Sequence, residues 1–200
     1  MRIGLTGGIA SGKSTAARWW HQQSIPVIDT DALAHSLTGP GGSALPQLVT
    51  RFGPDLVSTK NGMDRQAMRS LILVDPRAKR DLEGVLHPLI AEEADRLAAN
   101  HDWVIFDVPL LTETGGWRPR VDRVLVVDCS EATQIRRASS RAGWNPTQAA
   151  DVIRLQASRQ ARRNVADACL FNDTDDLQSL HQQLAFVARN WGWVVKEFSP

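Results

Sequence analysis

Cysteine is scarce in this sequence. Cys129 and Cys169 are the only two, and they lack metal-ligand spacing. That excludes a disulfide framework or a cysteine-based zinc module and leaves two small apolar residues expected in the interior. Tyrosine is absent, and seven tryptophans carry most of the aromatic content. An excess of either charge is absent too. The formal net charge is +1, whereas a general nucleic-acid binder is usually far more basic. No stretch approaches the roughly 18–20 apolar residues that a membrane span needs. Residues 1–20 carry a glycine-rich loop and Lys13 where a secretory leader would have its apolar run, so the cytoplasm is the expected location. Lysine is rare as well, with four residues, and arginine supplies most of the positive charge. The fixed donor fork of arginine suits a polyanionic ligand.

What is present reads as one α/β domain with insertions. The 200 residues are 42% hydrophobic, enough for a real core. Residues 2–6 and 25–29 read as short strands around a glycine turn at 7–12 and a helix from about Ser14 to Gln23. Trp103–Val108 and Val124–Asp128 are near-continuous apolar runs, as expected of strands buried on both faces of a parallel sheet. Between residues 30 and 100 the pattern is mostly helical, broken at Pro40-Gly41-Gly42, Phe52-Gly53-Pro54 and Asn61-Gly62. Apolar residues from Leu82 to Leu97 recur at helical spacing. Helices are expected at about 131–142, from Pro146 to about 164, and at 175–190. Short strands are expected at 168–171 and Trp193–Lys196. Strands alternating with helices give an α/β fold.

Gly7-Gly8-Ile9-Ala10-Ser11-Gly12-Lys13-Ser14 matches G-x-x-x-x-G-K-[ST] between a strand and a helix start. Glycines let backbone N–H groups approach phosphate oxygens without a Cβ in the way. The following helix directs the positive end of its dipole at the anion. Lys13 can reach the outer phosphates, and the Ser14 hydroxyl can serve Mg²⁺. The motif points to a nucleoside triphosphate and is silent on what receives the phosphoryl group.

Ligands of open α/β sheets bind at the carboxyl ends of the strands. Asp29, Asp107 and Asp128 sit at such ends, and Asp31 lies just beyond the second strand. Asp31 is the better candidate to accept a hydroxyl proton; Asp29 or Thr30 could instead cap the next helix. Asp107 resembles a Walker B acid that could hold Mg²⁺, with capping as the other reading. Asp128 and Ser130, ahead of a helix, both read as cap or turn residues. Arg137 and Arg141 share a helix face, and Arg159 and Arg163 repeat that spacing with Arg162 beside them. These arginines would converge in a lid over the nucleotide, or else line two solvated faces.

Outside the loop, an ordered set of segments resembles the dephospho-CoA kinase family over nearly the whole chain. It comprises Val27-Ile28-Asp29-Thr30-Asp31, Gly62-Met63-Asp64-Arg65, His87-Pro88-Leu89-Ile90, Asp107-Val108-Pro109-Leu110-Leu111 with Glu113, and Arg154, Gln156 and Ala166-Asp167 with Asn172. Thr30, Thr112 and the stretch Arg141–Pro146 depart from the family's usual residues. The resemblance implies a P-loop core with a five-stranded parallel sheet flanked by helices. The core would span about 1–30, 101–135 and 165–200, with a helical substrate-binding region at about 31–100 and a lid at about 136–164. It implies transfer of the γ-phosphoryl of ATP to the ribose 3′-hydroxyl of dephospho-CoA, with Mg²⁺. Lys13, Asp31 and Arg141 would be catalytic. Gly8, Ile9, Ala10, Ser11, Gly12, Lys13, Ser14, Thr15, Arg137 and Asn172 would bind ATP. Arg65, His87, Pro109, Leu110, Leu111 and Glu113 would join Asp31 in binding the acceptor, and Ser14 and Asp107 would serve the metal. Without the resemblance, His87 reads as a structural histidine beside Pro88. The partners implied are small molecules, with no nucleic acid and no membrane; the oligomeric state is open.

Three other classes compete. A nucleoside or nucleotide kinase shares the loop but not the His-Pro-Leu-Ile and Asp-Val-Pro-Leu-Leu segments. A GTPase would carry Asn-Lys-x-Asp where this chain has Val127-Asp128-Cys129-Ser130. A non-catalytic nucleotide-binding module would have no use for Lys13, Ser14 and Asp31 together.

Overall fold

A computed structural model describes residues 1–196. The chain opens with β1 (Arg2–Gly7), α1 (Lys13–Gln22) and β2 (Val27–Asp29). A helical stretch follows, with α2 (Thr30–Thr38), α3 (Leu45–Phe52), a hairpin of β3 (Val57–Ser58) and β4 (Gly62–Met63), α4 (Arg65–Val74) and α5 (Pro76–Ala98). The remainder runs β5 (Val104–Asp107), α6 (Leu111–Thr114), a 3₁₀ turn at Arg118–Arg120, β6 (Arg123–Asp128), α7 (Glu131–Ser139), α8 (Pro146–Leu155), α9 (Arg159–Val165), β7 (Ala168–Phe171) and α10 (Leu177–Asn190). It divides into two compact units, one of Met1–Ile28 with His101–Pro200 and one of Asp29–Asn100.

The first unit is built on the expected five-stranded parallel sheet, in the order β2-β5-β1-β6-β7. Every residue of β5 is buried, as is all of β6 after Arg123. Helices covering both faces of the sheet account for that. Against one face, Ala16, Trp19 and Trp20 of α1 and Leu180, Leu184 and Val187 of α10 pack on Ile3, Leu5, Ile105, Leu125 and Val127. Trp19 and Trp20 meet edge to face, with ring centres 5.0 Å apart. Gly4 lies in the central strand because a methyl there would stand 2.6 Å from a Leu111 methyl.

Four local expectations need correction. The helix expected to run from Pro146 to 164 is two helices, because Gln156 leaves helical geometry and Ser158 caps α9 by accepting from the Ala161 N–H. The helix expected over 131–142 stops at Ser139, ahead of Gly143 at φ 82°. Trp193–Lys196 forms no strand. There the buried Gln23 amide accepts from the Lys196 N–H at 2.7 Å and donates to its carbonyl at 3.4 Å, taking the place of a neighbouring strand. Cys169 is exposed, since alternate residues of the edge strand β7 face outward.

In the second unit, carboxylates start three of the four helices. Asp29 caps α2, Asp64 caps α4 and Asp75 caps α5, where Pro76 occupies the first turn. Helix α5 continues through Pro88 and packs against α2, α3 and α4. The loop 59–61 closes the β3–β4 hairpin, where Ser58 pairs with Gly62; Gly62 has φ 84°, and a methyl there would lie 2.9 Å from the Thr38 carbonyl oxygen.

Candidate active site

Strand β1 delivers the chain to Gly7, and α1 begins six residues later. Between them Ala10 (φ 56°) and Gly12 (φ 106°) take left-handed conformations, which curl the backbone into an anion-binding nest. No side chain caps α1, so its first N–H groups and dipole are left for an anion. Neither loop glycine has room for a methyl: at Gly8 it would lie 2.2 Å from Gln134 Nε2, and at Gly12 2.3 Å from Asn172 Nδ2.

Three amide side chains hold the loop in shape. Gln134 Nε2 donates to the Ile9 carbonyl at 2.8 Å, and the Ile9 N–H donates to Gln156 Oε1 at 2.9 Å. Asn172 Nδ2 donates to the Ser11 carbonyl at 2.7 Å. Asn172 thus touches the loop itself. Gln134 was missed from sequence, and Gln156 entered only as part of a pattern. Neither gives a sequence signal, because their value comes from α7 and the α8–α9 linker folding back onto the loop.

Lys13 Nζ forms a direct ion pair with Asp107 at the end of β5. Ser14 is exposed at the start of α1. Among the described residues no cluster of three or more His, Cys, Asp or Glu side chains could hold a metal by itself. An oxygen donor set of Asp107 and Ser14 beside a phosphate loop suits Mg²⁺ arriving with a nucleotide, since that ion favours phosphates, water and one or two protein oxygens.

Beside the loop lies a cleft of about 290 Å³, lined by Ala10, Gly12, Thr15, Asn172, Leu177 and Leu180 together with Arg137 and Arg141. Arg137 is committed to the cleft wall. It donates to the Asn172 carbonyl at 2.9 Å, to the Thr174 carbonyl, and to Asp175 at 3.3 Å. The Arg141 guanidinium makes no hydrogen bond or ion pair among the described residues and is exposed.

Asp128 is not a cap. It is 2% exposed and holds Arg159 with two hydrogen bonds of 2.9 and 2.8 Å, and Arg163 at 2.8 Å. Ser130 caps α7 instead. Burial opposes ionisation of Asp128, but the two guanidinium groups outweigh it and hold its carboxyl below the usual range. Arg159 and Arg163 therefore do not converge on the loop as the lid reading expected. Burial pushes the neighbouring Cys129 thiol up to about 11.

The segment after β5 divides its side chains. Leu111 is buried beneath Gly4 and packs in the core, Leu110 is 48% exposed, and Glu113 accepts from the Ala157 N–H at 2.8 Å. The Pro109 carbonyl accepts from the Thr6 hydroxyl at 3.2 Å. Within the second unit, Asp29 Oδ1 accepts from the N–H groups of Asp31 and Ala32 at 2.9 and 3.0 Å. Capping is thus what Asp29 does, and the exposed Asp31 carboxylate has no partner among the described residues. Arg65 braces the end of α2 through the His35 carbonyl and Thr38 hydroxyl at 3.1 and 2.8 Å. His87 is exposed on α5 and has no hydrogen-bond partner among the described residues, unlike a satisfied structural histidine.

The parallel sheet and the phosphate loop define a P-loop kinase fold. The dephospho-CoA kinase (CoaE) family model matches residues 1–178. A dephospho-CoA kinase of Albidiferax ferrireducens is 44% identical over 100% of this chain and 97% of its own length. One of Cupriavidus pinatubonensis is 48% identical over 86% of each. The crystal structure of TT1252 from Thermus thermophilus superposes with a TM-score of 0.81 at 30% identity, covering 95% of this chain and 97% of that one. The chain belongs to the dephospho-CoA kinase family.

Proposed function

We infer that this protein phosphorylates dephospho-CoA with ATP, placing the γ-phosphoryl on the ribose 3′-hydroxyl to give CoA. The observation that carries the reading is the intact phosphate loop, with Lys13 on Asp107, in a chain matched by the family model over residues 1–178. The rival nucleoside or nucleotide kinase is not favoured, since the similar curated proteins bear the dephospho-CoA kinase name.

Phosphoryl transfer asks the protein chiefly for positioning and charge stabilisation. The loop N–H groups and Lys13 hold the triphosphate, and the cleft beside Asn172 takes the nucleoside. Asp107 and Ser14 would hold Mg²⁺, which supplies positive charge to the outer phosphates. Asp31, free of any capping duty, orients the acceptor hydroxyl and accepts its proton. Residues 31–100, with Arg65 and His87, together with Leu110 and Glu113, serve the acceptor. Residues 136–164 act as the lid that brings Arg141 to the transferring group. No helix among the described residues is long and apolar enough to cross a membrane, and the cytoplasm is the proposed location.

The test is phosphoryl transfer from ATP to dephospho-CoA, with the product's phosphate position assigned by phosphorus NMR and rates compared for AMP, CMP, uridine and adenosine. Dephospho-CoA is expected to be much the best acceptor. An equal or higher kcat/KM for AMP would move the protein to the nucleotide kinases.

A further inference from the structure

Helix α9 carries three arginines within five residues, and they part company. Arg159 and Arg163 go to Asp128, while Arg162 runs to the phosphate loop, where its Nη2 would stand 2.8 Å from a methyl placed on Gly8. Arg162 is only 3% exposed. Its Nη1 donates to the Ala157 carbonyl, and its Nε is buried with no partner. No carboxylate forms an ion pair with it among the described residues. Burial pulls its pKa down against the weaker pull of Glu113 and Asp128. A guanidinium that is desolvated and mostly unsatisfied is costly unless a counter-charge completes it. The position beside it is the mouth of a loop built to receive an anion.

We propose that Arg162 is a second fixed cation of the site and binds the terminal phosphoryl group of the nucleotide from the Gly8 side of the loop. Its place is set by a short chain of contacts. Glu113 holds the Ala157 N–H, Ala157 holds Arg162, and the adjacent Gln156 holds Ile9. The α8–α9 linker thereby locks the arginine and the loop to each other. Arg162 is preorganised for charge that is concentrated on the γ-phosphoryl, and such a group costs no reorganisation when the reaction occurs. Arg141 differs, since its exposed guanidinium must be brought in by closure.

The proposal rests on ATP occupying the loop but not on the identity of the acceptor, so the test is made on binding first. Ligand-free melting temperature and affinities for ATP, ADP and AMP are measured for the full chain, Arg162→Met and Arg162→Lys. For Arg162→Met the ligand-free melting temperature should hold or rise, because an uncompensated buried charge is gone. Its ATP affinity should fall about tenfold or more while ADP and AMP lose much less, and kcat should drop roughly 10²–10³-fold. Arg162→Lys, which keeps a point charge without the fork, should fall between. A lower melting temperature with an unchanged ATP-to-ADP affinity ratio would make Arg162 structural and overturn the proposal. So would an equal loss for all three nucleotides. If the methionine variant does not fold, an unchanged ATP-to-ADP ratio in the lysine variant is decisive against it. A wild-type protein that binds ATP but ignores dephospho-CoA would sink the proposed reaction and leave this inference standing.

Discussion

Lys13 and Asp107 meet in a direct ion pair, although they lie 94 residues apart. Parallel pairing of β1 with β5 brings them together, with Leu5 in register with Asp107. Both side chains are mostly buried. Lys13→Ala should therefore lower kcat by roughly 10²–10³ with the fold retained, because a cation opposite developing phosphate charge acts in a water-poor site. Asp107→Asn should instead raise the Mg²⁺ concentration needed for half-maximal rate. Near-normal turnover by a folded Lys13→Ala protein would remove the lysine from the mechanism.

Asp31 follows the capping residue Asp29 and keeps a free carboxylate. Asp31→Asn is expected to cut kcat strongly while ATP affinity stays near wild type, since the role proposed for Asp31 is orientation and proton acceptance at the acceptor. A Mg²⁺ titration of both aspartate variants checks the division of labour. If excess Mg²⁺ restored Asp31→Asn but not Asp107→Asn, the two roles would be exchanged.

Arg141 lines the cleft beside the phosphate loop without any partner among the described residues. Its alanine variant should lower kcat more than it raises KM for ATP, the pattern of an interaction gained only in the transition state. A change confined to KM would make it an ordinary binding contact.

Asp128 holds α9 to the end of β6 through Arg159 and Arg163. Asp128→Asn should cost about 3 kcal/mol in urea unfolding, at the low end for a broken buried pair because Arg163 is 42% exposed. The carboxyl is held below its ordinary value in the folded state, so its stabilisation is complete above the unfolded carboxylate pKa, near pH 4. It is lost as the pH falls through the lower folded value. The gap between wild type and variant should stay constant from about pH 5 to 8 and shrink below about pH 4. A gap that widened in acid would contradict the assignment.

Much of this protein was legible in one dimension. The spacing from Gly7 to Ser14 implied the loop, since cradling a phosphate constrains consecutive backbone positions. The unbroken apolar runs of β5 and β6 implied a doubly covered sheet, because burial on both faces leaves no polar alternation. Asp29 and Ser130 start helices as short polar side chains do. The two-residue strands β3 and β4 are too short to show a periodicity, and only the Asn61-Gly62 signal at the end of their loop was visible.

What the tertiary structure alone decided is the partner of each charged and amide side chain. Arg137, Arg159, Arg162 and Arg163 look alike by spacing. Folding assigns the first to the cleft wall, two to Asp128 and one to the phosphate loop. Gln23, Gln134 and Gln156 carry no local signal, yet one stands in for a strand and two clamp Ile9. Local backbone geometry is written in neighbouring residues, so the sequence determines it. A long polar side chain instead satisfies its donors with groups 35 to 173 positions away, and only the packed chain brings those within hydrogen-bond reach.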